Sequence, residues 1–153
     1  MSAAKLPSTI HLEWQGERRF DTGRPGGPTI RLDGDGVTGQ SPVDALVSAL
    51  AACTAVDVVD ILAKRRTPLS ALSIDGVGTR ADGVPRRVVA AELTYQMTGG
   101  GVERLHAERA VELAVTKYCS VRDSLDPTLP IHYRVVLNGE AGELRLAGAA
   151  GVA

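Results

Sequence analysis

The chain has 153 residues, of which 44% are hydrophobic and 23% charged, with a net charge of -1 at neutral pH; this is the balance of one soluble globular domain with room for a core. So small a net charge supplies no basic surface for a polyanion, and 3% aromatics supply no base-stacking platform, so nucleic acid is excluded as a partner. Two cysteines are too few for a disulfide framework, and the opening MSAAKLPST lacks the apolar stretch of a secretory signal, so a cytoplasmic protein with reduced thiols is expected.

TIHLEW at 9–14 and PTIRL at 28–32 alternate, with the turn-rich GERRFDTGRPGG between them. The pattern predicts a small antiparallel sheet with glycine-supplied turns. DGDGVTGQ follows as a loop; it is rich in acid and glycine but lacks the spacing of a calcium-binding loop. Ser41 then predicts an N-cap, Pro42 a first helical turn, and Asp44 the acid of a capping box. The helix runs to about Arg66, with Lys64, Arg65 and Arg66 in its last turn and Pro68 beyond it.

This first helix is apolar nearly all round, but Asp44, Asp57 and Asp60 interrupt it and its longest unbroken apolar run is Ala49 to Cys53. That falls far short of the roughly 18 residues of a spanning segment, so no membrane is expected. A helix apolar on every side must be covered on every side. A second copy of the chain is the economical cover, and Ala49, Ala51, Ala52 and Ala55 are small enough for close approach.

ALSIDGVGTR and RRVVAAELTYQMTG read as two strands joined by ADGVP, with Val89, Ala91, Leu93, Tyr95 and Met97 on a buried face. A second helix is expected over 102–118, its stripe formed by Leu105, Val111, Ala114, Val115 and Tyr118, with Glu103, Arg104, Glu108, Arg109 and Glu112 mostly outside it. CSVRDSL makes a short helical turn and IHYRVVLN a last strand. One domain is expected over 1–139, and the Gly/Ala-rich residues 140–153 as a frayed tail.

Cys53 lies in the middle of the first helix and Cys119 at the end of the second. Each has a plain reading as a small buried hydrophobe. Each also has a chemical one. A thiolate is the nucleophile, yet Cys53 gains little from a helix dipole at mid-helix, and Asp57, four residues on, opposes its charge. A cation from elsewhere is needed, and Arg18, Arg19, Arg24, Arg86 and Arg87 are the candidates. A thiol that peroxide has oxidised to sulfenic acid condenses with a second thiol, and a two-cysteine inventory matches that chemistry if the two can approach. Asp44 reads first as a cap. His11, His106 and His132 lack ligand spacing, so no metal is expected.

SPVDALVSALAACTAVDVVDILAKRR resembles the central helix of the OsmC/Ohr family, and AVELAVTKYCSV resembles its second-cysteine segment. GVPRRVVAAELTYQMTG fits the strand between them, and the likeness covers roughly 10–138. The resemblance implies an α+β fold, with antiparallel sheets around a long central apolar helix, and an intertwined homodimer with its active sites at the subunit boundary. It implies Cys53 as the peroxide-attacking thiol and Cys119 as its resolving partner. Organic hydroperoxides would be the substrates, a dithiol, of lipoyl type in some members, the reductant, and no prosthetic group would be needed. The family's activating arginine has Arg18 and Arg19 as its nearest counterparts. Where the peroxidase branch carries a glutamate after the helix-starting proline, this chain has Val43, with Asp44 one residue later. The functional readings are therefore a two-cysteine peroxidase, a non-catalytic dimeric stress or ligand-binding protein with an apolar pocket, and a structural dimer in which both cysteines only pack.

Overall fold

The computed structural model describes residues 4–149. Where one domain over 1–139 is expected, the chain packs as two compact units, one up to Ala45 and one from Leu46 onward. In the first, β1 (His11–Trp14), β2 (Arg19–Gly23) and β3 (Thr29–Asp33) form an antiparallel sheet in that order. β2 arises inside the stretch read only as turns, because Arg19, Asp21 and Gly23 pair with Asp33, Arg31 and Thr29. The loop after β3 winds on buried Asp33. Its carboxylate accepts from the Asp35 amide at 2.9 Å and from the Thr38 amide and hydroxyl at 2.9 and 2.8 Å. These donors hold the carboxyl well below the ordinary carboxylate range.

α1 (Pro42–Lys64) starts at the expected capping box. The Asp44 amide donates to the Ser41 hydroxyl and the Ser41 amide to the Asp44 carboxylate, both at 3.2 Å. The helix buries one stripe, Leu50, Thr54, Val58 and Leu62, at i,i+4 spacing.

In the second unit β4 (Ala71–Arg80) and β5 (Val88–Thr98) pair antiparallel, and Ala91, Leu93, Tyr95 and Met97 are buried on one face of β5 as the alternation predicts. Glycine is required in β4 by close approach: a Cβ at Gly78 would stand 2.8 Å from a Val47 methyl of α1. β6 (Ile131–Leu137) lies parallel to β5, which corrects the expectation of purely antiparallel sheets. The helical crossover between them carries the chain back to the same edge, and such a connection yields a parallel pair. The fold class is α+β with a long central helix.

Two sequence expectations change here. Residues 140–146 do not fray: β7 (Glu140–Ala141) and β8 (Arg145–Leu146) both pair with β6, and residues 150–153 of the expected tail lie outside the described residues. Along α2 (Arg104–Leu113) and the segment after it the expected stripe holds at Val111, Ala114 and Val115, which are buried, but not at its ends. Leu105 and Tyr118 are exposed, while Glu108 and Glu112 are buried among apolar neighbours. The C-terminal segment compensates the two charges. Arg145 pairs with Glu108 at 3.1 Å, opposite Arg104 at 3.4 Å, and the Gly148 amide donates to Glu112 at 2.6 Å.

Candidate functional site

Cys53 sits one turn beyond Leu50 on α1 and is half-buried. Cys119 is placed by an irregularity that periodicity does not reveal. After α2 the chain runs through a π-helical segment, Ala114–Tyr118, in which the Cys119 amide donates to the Ala114 carbonyl at 2.9 Å. A π turn spans one residue more than an α turn, and such turns recur at functional sites. Cys119 then leaves helical geometry and caps α3 (Ser120–Asp123), its Sγ accepting from the Arg122 amide at 3.2 Å. Next to it in the chain Tyr118 is half-exposed, whereas Leu125 packs on the core.

Both thiols belong to the second unit, near enough for each to feel the other's charge. Burial pushes the Cys119 thiol up to about 11, the Arg122 amide opposes the rise, and the hydrogen bond and charge of Cys53 add to it. A half-exposed sulfur backed by a buried, protonated one is an arrangement suited to oxidation of the first and condensation by the second.

Tyr95, on the buried face of β5, belongs to the same buried cluster as Cys119, whose charge joins burial in raising the phenol. Its hydroxyl lies 2.7 Å from the Thr54 hydroxyl. Sequence reasoning places Tyr95 on the buried face but assigns it no partner. The available signal is that an enclosed phenol needs one, and Thr54 follows Cys53 directly.

Arg18 pairs with Asp35 at 2.7 Å and Arg19 with Glu17, all within the first unit, whereas both thiols belong to the second. The Asp44 carboxylate is engaged in the capping box. Arg122 gives its guanidinium to the carbonyls of Asp126, Pro127 and Leu129 at 3.0 to 3.3 Å, and Arg87 stands 3.8 Å from Asp126. An apolar slot opens along α1 beside this region, between Leu46 and Leu50 on the helix, Val88 and Ala91 on β5, and Leu125 and Leu129.

A family model described as OsmC-like protein matches residues 33–134. The chain belongs to the OsmC-like family. This OsmC-like chain is 33% identical over 113 residues to Protein YhfA of Escherichia coli (strain K12), a match covering 72% of this chain and 84% of that protein. Among solved structures, a hypothetical protein from Aquifex aeolicus VF5 is 29% identical with a TM-score of 0.74, covering 88% of this chain and 99% of its own. An organic hydroperoxide resistance protein OsmC from Legionella pneumophila shares the fold at 16% identity and a TM-score of 0.60, covering 86% and 98%. α1 is long and apolar enough by length and composition to cross a membrane. In this OsmC-like fold it is a core helix, and Leu50, Val58 and Leu62 belong to the same apolar cluster as Leu93 and Tyr133.

Proposed function

We propose that this protein is a thiol-dependent peroxidase for organic hydroperoxides, in which Cys53 attacks the peroxide and Cys119 resolves the product. The observation that supports the reading is that one unit holds both thiols, one half-exposed and one buried, with Cys53 acting on the charge of Cys119. Cys53 sulfur takes the terminal peroxide oxygen, the O–O bond breaks, and an alcohol leaves with a sulfenic acid in place of the thiol. Cys119 sulfur then displaces that oxygen as water, closing a disulfide. An external dithiol, of lipoyl type or similar, is oxidised to restore both thiols.

The cation for the Cys53 thiolate is assigned to Arg18 or Arg19, released from its carboxylate when the site is complete. A homodimer accompanies the reading. Leu12 and Ile30 share a register on one face of the first sheet, with Trp14 alongside, and all three stay exposed. Val56 and Val59 are exposed on α1. Side chains of this kind in a row want a second apolar surface, and cytoplasmic reducing conditions suit the cycle.

Treatment with one equivalent of cumene hydroperoxide is expected to lower the mass by about 2 Da through a Cys53–Cys119 disulfide. Gain of a single oxygen without pairing would assign Cys53 to a one-thiol sensor, and an unreactive protein would return both cysteines to packing. Arg18→Ala and Arg19→Ala are expected to slow alkylation of Cys53 near neutral pH; if neither does, these arginines are not the activators.

A further inference from the structure

The enclosed contact between Thr54 and Tyr95 has no part in the cycle above, yet Thr54 follows Cys53 directly and Tyr95 lies in the buried cluster that holds Cys119. The Thr54 hydroxyl has one proton, and it donates that proton to the Ala51 carbonyl at 2.9 Å. In the 2.7 Å contact the phenol is therefore the donor and Thr54 Oγ1 the acceptor. Both side chains are fully buried, so no water replaces either partner. Thr54 is the residue after Cys53, and Ala51 lies two before it, so the pair of bonds fixes the turn of α1 that carries Cys53. Tyr95 and Cys119 also belong to one buried cluster.

A disulfide closes only over a narrow range of Cα separation and dihedral angle. We infer that Tyr95 is a positioning residue for disulfide closure, its hydroxyl holding the Thr54 turn of α1 so that the Cys53 sulfur faces the Cys119 sulfur. The inference rests on the two-thiol reading and deepens one step of it. In that step the S–S bond forms, the S–O bond of the sulfenic acid breaks, and the oxygen leaves as water with the Cys119 proton. Tyr95 neither gains nor loses a proton; it keeps the geometry.

The test uses dithiobis(nitrobenzoate) on the full chain, so no peroxide chemistry enters. Cys53 displaces one thionitrobenzoate to form a mixed disulfide, and Cys119 displaces the second as the internal disulfide closes. The first release depends on reagent concentration and reports access; the second does not and reports closure. Tyr95→Phe is expected to leave the first release within about twofold and to slow the second about tenfold, part of the roughly hundredfold loss that a misplacement of ~1 Å costs. Thr54→Ser keeps the hydroxyl and is expected to close at the wild-type rate, while Thr54→Val closes as slowly as Tyr95→Phe. A purely structural role would lower the melting temperature and speed the first release without separating Thr54→Ser from Thr54→Val, and that result overturns the inference. So does wild-type closure in Tyr95→Phe, equal slowing of both releases, or a wild type that never closes. Should Tyr95→Phe not fold, the contrast between the two Thr54 variants decides. A wild type that closes with this reagent but ignores cumene hydroperoxide would end the peroxidase reading and leave the positioning role intact.

Discussion

Alkaline unfolding is expected to run through Cys119. Its thiol is 4% exposed, and its ionisation moves from 9.0 in an open chain to about 11 in the fold, burial being the main cause. The folded pKa is the higher one, so the unfolded state loses its proton first as pH rises. The stabilisation is then complete below about pH 9 and lost as pH climbs through about 11. Two pKa units correspond to about 2–3 kcal/mol, a large share of the stability of a small domain. The assay is urea unfolding under reducing conditions at steps from about pH 8 to pH 11, for wild type and Cys119→Ala. Tyr95 and Tyr133 are also raised by burial and destabilise the fold in the same direction, but they act in both proteins. The difference between the two curves isolates the thiol. Wild type should lead at the low end and lose about 2–3 kcal/mol of that lead by the top. Parallel curves, with a constant gap, would refute the assignment of a raised thiol to this position.

Three further outcomes are expected. Ser41→Ala removes the 3.2 Å bond to the Asp44 amide and should cost about 1 kcal/mol in urea unfolding, with the alkylation rate of Cys53 unchanged. Arg145→Ala leaves buried Glu108 to Arg104 alone and should cost about 2–3 kcal/mol, while hydrogen exchange at the Ala147 amide, bonded to the Ile131 carbonyl at 2.9 Å, accelerates. Val59→Glu, on the exposed side of α1, should convert a dimer to a monomer by light scattering without loss of helix by circular dichroism.

Much of the frame was legible in the sequence because its signals are local. The capping box at Ser41 and Asp44 follows from spacing along one turn. The buried face of β5 follows from strict alternation, which only a pleated strand produces. β2 was hidden because Gly16, Gly23, Gly26 and Gly27 surround it, and a five-residue strand amid turn residues carries too little pattern to be seen. The stripe of α2 misled for a different reason. Periodicity ranks side chains by polarity, but Glu108 and Glu112 are buried because a segment more than thirty residues later brings Arg145 and the Gly148 amide to them. The same return made strands of residues read as a frayed tail.

Residue order alone determined that two thiols stand at fixed places in a reduced, weakly charged α+β chain, one within a long apolar helix and one where a second helix stops. These properties depend on neighbours a few positions apart, and short-range sterics and solvation settle them. Only the tertiary structure decided that both thiols fall in one unit, that burial raises Cys119, and that Tyr95 is tied to the turn of α1 bearing Cys53. Those facts depend on a π turn that resets the direction of Cys119 and on a strand laid against a distant helix. Contacts of that range arise from packing the whole unit, and no window along the chain contains them.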